Sequence, residues 1–570
     1  MGKRTRRPRP ASRAGNATTL VSGAGAGEFS AGPTTASRGT FSCGRGRVRS
    51  VATSCQTEPV EGPASGATPA RAHRAANARR PHPWLDPPRL TLCAFVALWA
   101  VTFDHLGTLR HDRFGTFGFD LGIYDQAIWL LSRARDPFIT VRGLEAFGHH
   151  VNVILILLAP FYRLGAGPHF LLLVQIAAQA SGAFAVFLLA RDRIADRWLA
   201  VALGAVYLLH PTSQWLVWEF FHPDAVSIGP LLFAYWAARE RRWKWFAVAA
   251  LVAAMCKEDV ALVLVILGLL IAWRGDRRIG LGVSAGSLAW YVVATRVVIP
   301  WQNGIGPFYD TFFGALGSNP LQVAGNVVRH PGSTWDLLRQ PDRREYLWRM
   351  LAPVAFMPLV SPSTFAIAFP MLAVNLLSSF PYTRDAHFHY SALVLVGVMI
   401  GTVEGLARVA NVSARRVLVA VILTTSIATT VAWGPSPVGR DYHRGWWPLQ
   451  VDSRLAANQA AVAEVPSAAA VSATYIYVPH LTHRTRVYEF PVPWCNINWG
   501  VRGEHLDDPS GVQWILVDRR LVDSTGEAVL DRLLKYEFAV RSDRDGVLVA
   551  QRVHAPRDSL RRFACSAAPA

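Results

Sequence analysis

Residues 245–273 read WFAVAALVAAMCKEDVALVLVILGLLIAW. Two apolar runs flank three consecutive ionisable side chains, Lys257, Glu258 and Asp259. Neither run carries a polar stripe, so the stretch reads as helix enclosed by protein or lipid on every side. Charges at such a point cost about 2.5–3.5 kcal/mol each in mid-bilayer, so they must be paired, face a cavity or lie at an interface. The plain alternative is the tight turn of a helical hairpin.

Working outward, comparable apolar segments recur at about 89–107, 168–190, 197–215, 225–238, 279–299, 346–360, 364–380, 390–407 and 417–433, giving eleven candidate spans with the pair above. Strict alternation places RDRIADR (191–197), ARERRWK (238–244), RGDRR (274–278) and the 408–416 loop on one side. All four have a basic excess, so this side is cytoplasmic. The opposite loops, at 107–166, 209–224, 257–259, 299–345 and 381–389, hold mixed or acidic charge and most of the His between residues 89 and 433. The segment 150–163 is too short at ~1.5 Å per residue to cross a roughly 30 Å core, and counting it would invert every later loop. It is expected as an interfacial helix on the outer side.

Composition agrees. Of 570 residues, 51% are hydrophobic and only 17% charged, with 20 Trp, which excludes a cytosolic enzyme, a fibrous chain and a disulfide-stapled module. The net charge of +19 does not point to nucleic acid, because residues 1–88 hold 14 Lys+Arg against 4 Asp+Glu and no nucleic-acid motif accompanies them. That Gly/Ala/Pro/Arg-rich stretch is expected to be a disordered cytoplasmic tail. After residue 433 an Ala-rich helix (NQAAVAEVP) precedes β-like runs at AAVSA, RVYEF, WILVD, YEFAV and GVLVAQ, so residues 434–570 are expected to form a small extracytoplasmic α/β domain. Of the six cysteines only Cys495 and Cys565 could pair, given an oxidising compartment.

Five polar constellations fall on the outer side under this topology. In GFDLGIYDQAIW (118–129) the apolar stripe Leu121, Tyr124, Ile128 and Leu131 predicts a helix lying flat on the membrane, with Asp125 and Gln126 off the stripe and Asp120 ahead of it. An ordinary N-cap explains Asp120 equally well. Five helical positions put the two aspartates about 140° apart, so they should not share a ligand unless Asp120 is off the helix and turned back. EAFGHH ends in His149 and His150, which point to different sides of a helix; one is expected to face a polar cavity. HPTSQWLVWEFFHPD gathers Glu219, His222 and Asp224 among tryptophans, where an interfacial aromatic belt is the bland reading. The fourth is Lys257-Glu258-Asp259. The fifth, YTRDAHFHYS, supplies Arg384, Asp385, His387, His389 and Tyr390, which a solvated loop would also explain.

FDLGIYDQAIW, GHH, WEFFHPDAVSIGPLLFAYW, KED and HFHYSA resemble the prokaryotic membrane family described as domain of unknown function 2079, over about residues 90–550. More loosely, the layout is similar to the GT-C class of membrane glycosyltransferases. That resemblance implies a helical membrane bundle, a polyprenyl-phosphate sugar donor and a catalytic or metal-binding acid in the first outer loop, matched here by Asp120 or Asp125. The expectation is transfer of a sugar to a glycan or lipid acceptor on the outer face of the plasma membrane. Asp120 or Asp125 would be the base, and Glu219, Asp224 or Glu258 a second acid. Lys257, Arg384 and His389 would meet the phosphate, with His149, His150, His222, His387 and Tyr390 around the substrate. Mg2+ or Mn2+ stays open, since few carboxylates hold it. A transporter or lipid flippase is the competing class, although no internal repeat supports it; an envelope scaffold is a third.

Overall fold

The computed structural model describes residues 86–496, 498, 500, 503–563 and 565; the expected tail 1–88 falls outside them except for its last three positions. Five described helices are long and apolar enough to cross a membrane: Pro87–Asp112, Pro168–Ile194, Arg277–Asn303, His389–Ala407 and Val412–Trp433. Five more apolar helices are shorter, Ile154–Arg163, Arg197–Leu209, Trp243–Ala254, Val260–Trp273 and Pro362–Leu377. Several of the expected spans are thus broken. Pro211 interrupts the 197–218 stretch after His210, and residues 255–259 separate two helices at the KED site. Leu98, Val101, Leu251 and Val417 are exposed on the outside of the bundle, as lipid contact requires.

Outside the bundle, strands β1 (Phe138–Ile139) and β2 (Leu144–Glu145) form a hairpin in the first loop. After Trp433 comes a five-stranded sheet made of β3 (Val471–Ala473), β4 (Val487–Glu489), β5 (Trp514–Asp518), β6 (Phe538–Arg544) and β7 (Val547–Arg552). Its order is β4-β3-β5-β7-β6, with β3 parallel to β4 and β5, and β7 antiparallel to β5 and β6. Each strand falls on one of the β-like runs in the sequence. Asp545 and Gly546, both at positive φ, close the β6–β7 hairpin, because a two-residue turn there demands left-handed backbone. Cys495 and Cys565 form a disulfide.

Four buried apolar clusters hold the described residues together, and the two largest bear on the site. One lies within the bundle around Phe103, Tyr207, Tyr235, Leu264 and Val398. The other is shared: Leu121, Ile128 and Val141 of the first loop pack with Leu155 and Tyr162, and with Val478, Val487 and Leu516 of the terminal domain. Thr140 Oγ1 pins the edge of β4, donating to Val487 O (2.6 Å) and accepting from Val487 N (3.0 Å).

This packing corrects the expectation for the loop helix. Ile123–Ser132 is enclosed almost all round, and Asp125 and Gln126 are fully buried. The terminal domain covers the side that the apolar stripe left polar. By contrast, the Ile154–Arg163 helix exposes Ile156, Leu157 and Phe161 as one apolar face, consistent with an interfacial element.

Candidate functional site

A cavity of about 330 Å³ opens among the first loop, the 219–222 turn and the residues leading into the His389–Ala407 helix. Its polar lining is Asp120, Arg142, His149, His150, Glu219, His222 and His389; Ile123 and rings such as Tyr124, Phe308, Phe380, Phe388 and Tyr390 make the rest. Four of the five constellations therefore contribute, though they come from stretches far apart in sequence.

Asp120 stands on a single π-helical turn, Gly118–Gly122, rather than at a helix cap. Such turns re-aim one side chain within an otherwise regular helix. Gly118 is required there, because a Cβ would meet the Val478 side chain at 2.7 Å. Glu219 and His222 are aimed by a turn in which Phe220 holds φ 77°, a conformation costly for a bulky residue. Arg110 braces this turn, donating to Trp218 O and lying 3.7 Å over the Trp218 ring.

His389 Nδ1 lies 2.9 Å from Glu219 Oε1, and the His222 and His389 rings stack at 4.0 Å. His222 Nε2 is 3.4 Å from Asp120 Oδ1. Burial, together with the Asp120 and Asp224 carboxylates, pushes Glu219 well above the ordinary carboxyl range. Glu219 Oε2 and both His222 ring nitrogens are buried without a hydrogen-bond partner. Glu219, His222 and His389 offer ligand atoms all within 4.8 Å of one another. One carboxylate and two imidazoles would hold a divalent cation of the Mn2+ or Zn2+ type better than Mg2+, which prefers oxygen and water.

Glu258 is fully buried behind the lining. It accepts from Val151 N (3.0 Å) and Tyr309 (2.9 Å) and meets His150 Nδ1 at 2.7 Å. Burial, the neighbouring His150 for His149 and the Lys257 ammonium for His150 hold both imidazoles well below their ordinary value. Both therefore stay neutral at pH 7. Lys257 is paired to Asp224 (3.3 Å) and Asp259 (3.6 Å), behind the lining. The charged turn at 257–259 is thus satisfied by partners, as its cost in an apolar setting demands.

Sequence reasoning misses Arg142. It is 1% exposed, its Nε and Nη1 have no acceptor, and its guanidinium stands over Phe119 (5.5 Å) and Phe308 (5.2 Å). Burial pulls it down to about 10, which leaves it charged at neutral pH. A lone Arg in a loop carries no spacing signal, so only packing reveals it.

Of the expected residues, Asp224, Lys257 and Glu258 stand behind the lining, and three more lie farther off. Asp125 accepts from Tyr162 (2.5 Å) and Thr482 and meets His483 at 3.2 Å, away from the lining. Arg384 is paired with Asp342, and His387 with Asp385 (2.6 Å), in a separate cavity of about 240 Å³. The physical reason is local: Arg384 and His387 each find a carboxylate, Asp342 and Asp385, on their own side of the 381–388 loop, whose Tyr382 and Phe388 alone reach the His389 cavity. Beyond the β1–β2 hairpin a polar cleft of about 960 Å³ separates the loop from the terminal domain. Gly143 and Glu145 face that cleft, while Arg142 and His149 face the aromatic cavity.

Fold and site together define a multi-pass helical membrane protein with a buried polar centre and a small C-terminal sheet. The chain belongs to the predicted membrane protein family DUF2079, which it matches over residues 110–549. Among curated proteins, none matches by sequence. Two crystal structures of ArnT from Cupriavidus metallidurans are similar at 14% identity. The one bound to undecaprenyl phosphate gives a TM-score of 0.45 over 81% of this chain and 98% of its own. The apo one gives 0.48 over 82% and 99%. At these scores the likeness assigns neither fold nor activity.

Proposed function

We propose that the protein transfers a sugar from a polyprenyl-phosphate donor to an envelope acceptor on the outer face of the plasma membrane. The observation that carries this reading is Arg142, a buried guanidinium with unused donors, facing the same aromatic-walled cavity as Asp120. Such a fork is suited to a phosphate, and the rings suit an isoprenoid chain. An acceptor hydroxyl attacks the anomeric carbon and yields its proton to Asp120. The bond from that carbon to the phosphate oxygen breaks, and the departing polyprenyl phosphate is held by Arg142. Glu219, with His389 and His222, positions the acceptor or a divalent cation, whose bound charge would offset that of the phosphate. The polar cleft gives the acceptor an approach, since the 142–149 segment is a wall common to both spaces.

Eleven crossings with the N-terminus inside accompany this reading, the broken helices 197–218, 243–254, 260–273 and 362–377 included. What supports the orientation is charge: Arg193 and Arg239 meet at Glu404, and Arg415 donates to Ile194 O, so the basic loops gather at one end. The disulfide suits an oxidising outer compartment for residues 434–570.

The test is twofold. Arg142→Gln should weaken binding of a polyprenyl monophosphate to the purified protein by about tenfold or more. Cells carrying Asp120→Asn should accumulate lipid-linked sugar at normal protein levels. Unchanged lipid binding, together with unaltered lipid-linked sugar, would remove the proposal. A flippase would bind the lipid and yet form no glycosylated product in proteoliposomes.

A further inference from the structure

At the far end of the bundle from the aromatic cavity, Glu404 is 4% exposed and accepts from Arg193 Nε (3.1 Å), Arg239 Nε (3.1 Å) and Tyr235 (2.8 Å). The Tyr235 hydroxyl in turn accepts from Arg274 Nη2 at 3.0 Å. Arg241 forks onto Asp276, with Nε to Oδ2 at 3.2 Å. Of these groups Tyr235, Arg239, Arg241, Arg274 and Asp276 border a cavity of about 210 Å³ whose other wall is Leu267 and Ile271, while Glu404 and Arg193 pair behind it. His389 and Glu404 lie on one helix, and their fifteen positions correspond to ~22 Å along its axis. The cavity therefore stands near the headgroup layer opposite the candidate site, for a hydrocarbon core of roughly 30 Å.

Charge does not balance there. Three guanidiniums, Arg239, Arg241 and Arg274, line the cavity with one carboxylate, Asp276, and Arg239 also pairs with Glu404 behind it. Among the described residues Arg274 has one hydrogen-bond partner, a neutral phenol, so most of its fork is free for an anion. The aliphatic wall is unsuited to a fully hydrated ion but suited to a glycerol or acyl segment.

We propose that this cavity binds a phosphate-bearing anion, with the phosphate between Arg241 and Arg274 and the remainder of an anionic phospholipid along Leu267 and Ile271. It needs no transfer activity, and its test is separate from that of the candidate site. Purified full-length protein is titrated with phosphatidylglycerol, phosphatidylcholine or inorganic phosphate, and retained ligand is read by native mass spectrometry and thermal shift. The wild type should retain phosphatidylglycerol over phosphatidylcholine. Arg274→Gln and Arg241→Gln should each weaken retention about tenfold, while Lys244→Gln, a nearby charge outside the cavity, should not. Both arginine variants leave Glu404 its two other guanidiniums, so they should fold. Competition by inorganic phosphate at comparable concentration supports the anion site and assigns it to a free phosphate compound; its failure to compete assigns the lipid. Equal retention of the two lipids with no phosphate binding overturns the proposal, as does an equal loss in Lys244→Gln.

Discussion

Asp120 and Asp125 stand five residues apart on one continuous helical stretch, yet their surroundings give them opposite expected phenotypes. Asp120 is partly open to the cavity, whereas Asp125 is enclosed by Tyr162, Thr482 and His483. Asp120→Asn should abolish transfer and leave the melting temperature nearly unchanged. Asp125→Asn should lower stability by about 1–3 kcal/mol, since a buried hydrogen-bonded charge is lost, and reduce activity only in proportion to folded protein. Circular dichroism melts beside product assays separate the two. Glu489 offers a pH test in the terminal domain. Its Oε2 is enclosed without a partner, and burial pushes the carboxyl up to about 7. A carboxyl raised in the folded state contributes its stability below the unfolded value near 4.5, and loses it as pH climbs through about 7. Glu489→Gln should therefore gain about 2–3 kcal/mol relative to wild type at pH 8 and little at pH 4, read from melts at both values.

At the scale of elements, the π-turn Gly118–Gly122 decides how the first loop meets the terminal domain. Gly118 N donates to Tyr475 O (3.0 Å), and the glycine leaves no room for a Cβ against Val478. Gly118→Ala should cost about 1–3 kcal/mol by overpacking and displace Asp120, lowering turnover. Val478→Ala removes the two Cγ contacts but keeps the Cβ at 2.7 Å, so the double variant should recover only part of the loss, and a double-mutant cycle measures that coupling. This contact also shows what the sequence could and could not disclose. Apolar runs, basic loops and the five strands were legible because lipid, charge bias and pleat impose short-range periods. The cluster of Glu219, His222 and His389 was legible as residue types, but its closure needed Phe220 at positive φ and a loop 170 positions away. Arg142 and the burial of Asp125 left no local trace, because each depends on which distant segment covers it.

For the whole molecule, the terminal domain lends no residue to the aromatic cavity but braces the loop that does. Its strand β4 is held by Thr140 of the first loop, Gln126 Nε2 donates to that same hydroxyl (2.8 Å), and His505 N donates to Gly143 O (2.7 Å). The segment between these contacts carries Arg142, so the position of the guanidinium depends on both ends staying docked. Thr140→Val keeps the shape and removes the hydroxyl, leaving Val487 N and O and the Gln126 amide short of partners. Each buried polar group so orphaned costs about 1–3 kcal/mol. The domain should then open more often, with faster proteolytic cleavage in the 434–452 connection and weaker polyprenyl phosphate binding. The membrane helices should keep their own melting transition, because their core around Tyr207 and Val398 shares no residue with the covered one. Limited proteolysis that leaves the variant as resistant as wild type would mean that the domain is held from elsewhere, and that Arg142 is placed by the bundle alone.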